Sequence, residues 1–296
     1  MHWMIYGLAS QAVYAAGNHI DSHIVAHRVK GPASMPIYTA LVVLAMSLAA
    51  FVASGMPMLG TDGAWIVASG FVLMMSTVFY FRAIAVGDPA FVSAMFQVNA
   101  VFTLALSRVF LDERLSASRL AGFALILSAA FILSLERVEG RLRLGKAFWP
   151  IITCDLLWAL ATVIVKQAFN TSSFLPVMAY EGFGVVLGGL AVALSPSVRA
   201  AFRTSLRESG ATVIGLVCLT EAVGVLGKAL FYLGVSLGPV AIVSALGGTQ
   251  PFFSIAWGWL LALTLPRLFP QQTGGAHLAR KVALFAVLMA GIWLCR

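Results

Sequence analysis

Two stretches decide the fold, Phe91-Val92-Ser93-Ala94 and Ile242-Val243-Ser244-Ala245, because the second repeats the first after 151 residues. Each stretch lies within an apolar run that is long enough to cross a bilayer. The same spacing pairs Asn99 with Gln250. A duplicated hydrophobic half is typical of secondary transporters, whose substrate site lies between the halves near mid-membrane.

The composition excludes a soluble globular domain. Hydrophobic residues make up 60% of the chain and charged residues 10%, whereas soluble domains carry roughly 25% charged residues. The net charge of +8 comes from Lys and Arg that lie mostly in loops, so it indicates contact with lipid headgroups and no nucleic-acid partner. Nucleotide motifs are absent from the sequence, and no cofactor is predicted.

Apolar runs of about 20 residues match the thickness of a hydrocarbon core. The sequence contains ten of them, so we predict an all-α integral membrane protein with ten transmembrane helices. The predicted spans are 3–25, 35–55, 64–86, 90–110, 117–135, 147–169, 174–194, 211–235, 239–262 and 281–295.

A dense run of charges, 136–146, separates two halves of five spans each. Because five is odd, the second half enters the membrane from the opposite side, which predicts two inverted five-helix repeats, 1–139 and 140–296. A weaker match pairs Gln11 in span one with Asp155 in span six.

The Lys and Arg residues near the span ends predict the orientation. Thirteen of them fall on the side of the loops after spans one, five, seven and nine, and five fall on the opposite side. The richer side is predicted to be cytoplasmic, which places both termini outside.

Local motifs stand at the ends of spans four and nine. Leu111-Asp112-Glu113-Arg114-Leu115 closes span four, Gly238-Pro239-Val240 opens span nine, and Pro251 lies inside span nine. Together with the ten-span layout, these motifs resemble the EamA-like branch of the drug/metabolite transporter superfamily. Asp112 replaces the usual Gly, and Ala100 stands where the mid-helix Pro of span four would be. The resemblance implies a secondary transporter for small organic solutes, commonly an exporter, in a bacterial inner membrane.

Four ionisable residues lie near span centres, and all belong to the second half: Asp155, Glu181, Glu221 and Lys228. Each costs roughly 2.5–3.5 kcal/mol on insertion scales, so its presence needs a reason. Glu221 and Lys228 share a helix face about 10.5 Å apart, too far for a direct ion pair. We predict proton or ion coupling at Glu181 and Glu221, and substrate binding at Lys228 and Asp155. The alternative is that each pairs with a neighbouring helix and only stabilises the bundle.

Small residues at Gly184 and Gly188 predict close helix packing beside Glu181, so this carboxylate is expected to face a protein seam or cavity. The amides of Asn99, Gln250 and Gln11 are further candidates for substrate binding, because an amide offers both donors and an acceptor. The alternative interpretation is that the amides of Asn99 and Gln250 bond the two helices to each other.

A set of histidines, His19, His23 and His27, recurs every fourth residue near Asp21. Such spacing can bind a metal, and it supports an alternative in which the chain is a metal-dependent membrane-embedded enzyme. The favoured interpretation is a polar helix end at the headgroups, with no metal and no enzyme activity.

The function predicted from these observations is alternating-access transport of a cationic, zwitterionic or amine-bearing metabolite, as a proton-coupled exporter. Three acids against one Lys near mid-membrane favour a cation. A flippase for a lipid-linked substrate, or an anionic substrate held by Lys228 and Arg82, is the alternative. The predicted partners are a small-molecule substrate, the lipid bilayer and protons, with the chain as a monomer or homodimer.

Overall fold

The computed structural model describes residues 2–27, 35–86, 92, 95–135, 146–264 and 276–296. All regular structure in these residues is helical, as the composition predicts. The helices are α1 (His2–His27), α2 (Met35–Ala53), α3 (Gly60–Val86), α4 (Val98–Phe110), α5 (Ala117–Leu135), α6 (Phe148–Ala168), α7 (Phe174–Ala193), α8 (Pro196–Glu208), α9 (Ala211–Leu237), α10 (Val240–Ala245), a 3₁₀ turn (Leu246–Thr249), α11 (Gln250–Thr264) and α12 (Ala276–Leu294).

Within the described residues, six helical segments have the length and apolar composition needed to cross a membrane. They are Met35–Ala53, Gly60–Ala83, Phe148–Ala168, Phe174–Ala193, Ala211–Leu237 and Val240–Leu260. Shorter apolar helices cover Val98–Phe110, Ala117–Leu133 and Val282–Leu294. The prediction of an all-helical integral membrane protein is therefore confirmed.

Span nine is interrupted near its middle, at the place where Pro251 predicts a kink. It consists of α10, the 3₁₀ turn and α11, because Pro251 has no N–H to continue the α-helical ladder. The N–H of Gln250 donates instead to the carbonyl of Gly247, three residues back.

Span four is also irregular, at the equivalent place and without a proline. Residues 96 and 97 form a turn, and α4 begins at Val98. The N–H of Asn99 donates to Phe96 at 3.3 Å, and that of Ala100 donates to Gln97 at 3.3 Å. These bonds also span three residues, so both spans are interrupted just before the paired amides of Asn99 and Gln250.

Helices α3 and α7 meet at a seam of small residues. A Cβ on Gly70 would collide with the carbonyl oxygen of Glu181, and one on Gly184 would collide with that of Val67. The two backbones are therefore in contact, as small residues spaced by four allow. This confirms the predicted close packing beside Glu181.

The long helices pack against one another in pairs. Helix α1 lies along α9, and α6 lies along α3. Helix α4 contacts α6, and α11 contacts α1. Three further pairs are α2 with α7, α5 with α12, and α4 with α10.

Helix α8 is an addition to the predicted spans, because the sequence predicts a loop between spans seven and eight. The helix begins at Pro196, whose fixed φ suits a first helical turn, and it follows Ser195. Its 13 residues are too short and too polar for a membrane span.

Candidate functional site

A charged network joins α7 to α9 in the interior. The Lys228 Nζ lies 2.7 Å from Oε2 of Glu181. The Tyr232 hydroxyl donates to the other carboxylate oxygen, Oε1, at 3.2 Å. The Glu181 side chain is 0% exposed and that of Lys228 is 11% exposed. Both oxygens of this buried carboxylate therefore have a hydrogen-bond donor.

Because Glu221 is too far along the helix to pair with Lys228, the ion-pair partner of Lys228 was undetermined from the sequence, and the structure identifies it as Glu181. The partner of Lys228 comes from another helix, as the alternative interpretation allows. Tyr232 was not among the predicted residues, although it follows Lys228 by four positions and so lies on the same helix face. The ring of Tyr14, on α1, lies against Gly227, the residue before Lys228.

A second buried acid lies on α6 and has a different environment. Asp155 is 0% exposed. Neither of its carboxylate oxygens has a hydrogen-bond partner among the described residues. Its backbone carbonyl accepts a hydrogen bond from Nδ2 of Asn99 on α4, at 2.9 Å. The structure therefore brings these two predicted residues together through the main chain and leaves the carboxyl group unsatisfied.

Aromatic rings lie one helical turn from Asp155 and Asn99. The rings of Phe96 and Trp158 are 5.6 Å apart in an edge-to-face arrangement. Tyr80 of α3 adds a ring 5.9 Å from Phe96. Faces of such rings attract organic cations, and the attraction grows when the site is desolvated.

The other predicted residues have separate places. Gln11 on α1 is buried, and its Nε2 donates to Ser10 at 3.2 Å. Gln250 is the first residue of α11 and is half-buried, while Glu221 is half-buried on α9. The Asn99 amide donates to α6, whereas the alternative interpretation pairs it with Gln250.

The predicted histidine cluster falls outside the described side chains, which exclude residues 18–34. The same holds for Phe91, Ser93 and Ala94 of the first repeated stretch, and for most of the charged boundary between the halves. Among the described residues, no group of three or more His, Cys, Asp or Glu residues is placed to hold a metal ion.

A polar brace holds the turn between α9 and α10. The Glu113 carboxylate accepts the N–H of Val240 at 3.1 Å through Oε2. The Lys166 Nζ donates to the carbonyls of Val235 at 2.8 Å and Gly238 at 3.0 Å. An acid therefore faces the start of α10 and a cation faces the end of α9, which suits both helix dipoles.

The position of Glu113 carries an electrostatic cost. Burial raises the pKa of this carboxyl above its ordinary value, and the bonds from Val240 together with the charge of Lys166 oppose that rise only in part. The motif that closes span four contains Glu113, but no pattern in the sequence relates Lys166 to it.

The backbone at Asp112 shows why Gly is the usual residue at this position of the motif. Its backbone has a φ of 49°, in the left-handed region that favours glycine. Aspartate is among the residues that tolerate this region best. Its carboxylate also contacts Arg108 and Arg114.

The helices and the buried polar groups indicate an integral membrane protein, and comparison with known proteins adds a family match over the first part of the chain. Residues 2–135 match the EamA-like transporter family. The resemblance seen in the motifs is therefore confirmed over these residues.

A solved structure supports the fold over the whole length. A chain described only as "Crystal structure of protein" aligns with a TM-score of 0.69 and 17% identity, covering 99% of this chain and 96% of its own. Similarity at this identity shows the fold alone. No curated protein matches the sequence.

Proposed function

We propose that this chain is a secondary transporter for a small amine-bearing organic solute and that Asp155 binds the ammonium group. The observation that carries the proposal is the buried Asp155 carboxyl, whose two oxygens have no partner among the described residues. An ionised carboxylate in such a place costs several kcal/mol unless a cation or donors reach it.

The ion pair between Lys228 and Glu181 favours this choice of residue. Lys228 already neutralises Glu181 at 2.7 Å. A substrate cation would therefore gain little from Glu181 unless Lys228 moved away. At Asp155 a cation would gain both an unshared carboxylate and the neighbouring rings of Phe96 and Trp158.

Proton coupling follows from the same group. With no cation bound, Asp155 carries a proton in this buried setting, because the neutral acid avoids the cost of an isolated charge. An arriving ammonium group releases that proton, and a returning proton releases the amine. The sequence prediction of coupling at Glu181 and Glu221 stays a prediction, with Asp155 favoured by the geometry.

Alternating access between two inverted halves, 1–139 and 140–296, is the proposed mechanism. The helix pairs support it: exchanging each span with its repeat mate converts the pair α1–α9 into α6–α3, and the pair α4–α6 into α11–α1. The interruptions of spans four and nine support it as well, since discontinuous helices line the substrate sites of many transporters.

The brace distinguishes the two ends of the proposed transporter. The repeat spacing pairs Glu113 with Thr264, and the match of Gln11 with Asp155 pairs Lys166 with Ser22. Neither Thr264 nor Ser22 is charged. The end that carries the brace also carries the C-terminus, because the Ser118 hydroxyl beside the Glu113 loop donates to the carbonyl of Leu294 at 3.0 Å. In the proposed bacterial inner membrane this is the outer side, from the distribution of Lys and Arg.

The test is a thermal-stability screen of purified protein, followed by counterflow in proteoliposomes. The panel pairs polyamines, quaternary amines and amino acids with neutral analogues of the same size. Amines should stabilise the protein and exchange across the membrane, and Asp155→Asn should abolish both effects. Asp62→Asn, at an exposed position in α3, is the matched control.

The proposal fails if neutral analogues protect the protein as well as amines do, or if Asp155→Asn exchanges amines normally. Protection by lipids alone, without exchange of any soluble amine, would point to a flippase instead.

A further inference from the structure

Helix α8 connects two membrane-spanning helices by very short links. Residues 194 and 195 join it to α7, and residues 209 and 210 join it to α9. Two residues extend at most about 7 Å, so both ends of α8 lie close to the ends of spanning helices. This helix therefore lies at the bilayer surface, on the side opposite the brace.

One face of α8 packs against the protein. The Ser205 hydroxyl lies 3.0 Å from the hydroxyl of Tyr38, near the start of α2. The ring of Phe202 meets that of Tyr38 edge-on at 5.1 Å. Phe81 at the end of α3 and Val213 near the start of α9 belong to the same apolar cluster. The inner face of α8 thus joins helix ends from both halves.

The opposite face presents three arginines. Arg199, Arg203 and Arg207 recur every fourth residue, and all three are exposed. Leu206 lies on the flank between the arginines and the packed face and is also exposed. A basic face beside an apolar flank is the pattern of a helix lying in the headgroup region of a membrane.

We propose that the face formed by Arg199, Arg203 and Arg207 binds the phosphate groups of anionic lipids. All three cations are arginines, whose planar guanidinium groups hold phosphate through two parallel hydrogen bonds. A general attraction to the membrane surface would be served equally by lysines. This site is independent of the transport proposal, because it rests on the surface of α8 alone.

The test measures retention of phosphatidylglycerol by the purified full chain in competition with phosphatidylcholine, using native mass spectrometry. Replacing the three arginines by Gln should weaken retention of phosphatidylglycerol roughly a hundredfold, since each basic residue contributes about fivefold near an anionic surface. Retention of phosphatidylcholine should not change. Replacement by Lys should restore only part of the preference, because the charge returns without the paired hydrogen bonds.

The matched control removes three arginines from the opposite side, Arg108, Arg114 and Arg119, and should leave most of the preference intact. The proposal is overturned if both triple Gln variants lose phosphatidylglycerol equally, or if the variant of α8 retains it as the parent does. The triple Lys variant keeps the test decisive if the triple Gln variant does not fold: full retention by the Lys variant would contradict recognition of phosphate by arginine.

Discussion

Asp155 and Glu181 are both fully buried acids of the second half, yet their surroundings differ. Glu181 has a lysine at 2.7 Å and a tyrosine at 3.2 Å. Asp155 has neither a cation nor a donor at its carboxylate among the described residues. Burial imposes a similar cost on both charges. In one case the protein supplies the compensation itself, and in the other the compensation has to come from a proton or a ligand.

The two buried acids illustrate two roles of an interior charge, helix packing and ligand exchange. A carboxylate whose oxygens are satisfied by its own protein holds helices together, here α7 and α9. A carboxylate left without partners is suited to exchange, because each bound species improves its environment. Disrupting the pair of Glu181 and Lys228 should therefore mainly reduce stability. Replacing Asp155 should mainly weaken binding of the amine.

The largest effect is expected at Lys228. Lys228→Met leaves Glu181 buried without its cation, which should reduce the free energy of unfolding by about 3–5 kcal/mol. Unfolding in mixed detergent micelles measures the loss. The double variant with Glu181→Gln should recover most of it, because the unpaired charge is gone. A double variant no more stable than Lys228→Met alone would show that the pair is not the source of the loss.

Asp155→Asn should separate binding from folding. The amide keeps the shape of the side chain and removes the group that bears the charge, so stability should change little. Binding of the amine should weaken more than tenfold, about 1.4 kcal/mol. Isothermal titration of parent and variant measures it, with Asp62→Asn as the control. A strong loss of stability together with unchanged amine affinity would reverse the roles given to the two acids.

The brace at Glu113 should contribute less. Glu113→Ala removes the cap of α10 and should cost about 1 kcal/mol of unfolding free energy. Glu113→Gln keeps an acceptor for Val240 and should cost clearly less. Equal losses in both variants would mean that the charge, rather than the acceptor, stabilises the turn.

The pH dependence of the brace has a defined sign. Because the folded pKa of Glu113 is raised above 4.5, the unfolded chain releases this proton first as the pH increases. The contribution of Glu113 to the unfolding free energy therefore falls as the pH rises through the window that begins near 4.5. Thermal unfolding across this range should show a flatter profile in Glu113→Gln, and an identical profile would contradict the assignment.

The smallest effect is expected at Asp112. Because its φ is 49°, Asp112→Gly should relieve backbone strain and change the unfolding free energy by less than about 1 kcal/mol. Asp112→Ala is the control, since it loses the contacts with Arg108 and Arg114 but keeps a Cβ. The glycine variant should be the more stable of the two, and the reverse order would show that the side-chain contacts outweigh the strain.

Much of the fold could be predicted because the bilayer restricts the choices. Apolar runs of span length, the repeated stretches and the small residues beside Glu181 predict helices and a close seam. The break before Asn99 could not be predicted, since span four has Ala100 where a proline would have marked it. Helix α8 was missed because its 13 residues are polar and short, and only packing against Tyr38 gives it a defined place.

The candidate site was predictable in its residue types and not in its pairings. The cost of a buried charge singles out Asp155, Glu181 and Lys228 from the sequence. Spacing along α9 relates Lys228 only to Glu221, whereas its observed partner lies on α7. Which acid has a partner and which has none depends on packing between helices, and periodicity within one helix carries no information about that.

Exchange at Asp155 can be observed as proton release when an amine binds to the purified, weakly buffered protein, followed with a pH indicator. If Asp155 exchanges a proton for an ammonium group, the parent should release about one proton for each amine bound, because one carboxyl holds either species. Asp155→Asn should release none. Binding without proton release in the parent, or the same release in Asp155→Asn, would rule out exchange of a proton for an amine at Asp155.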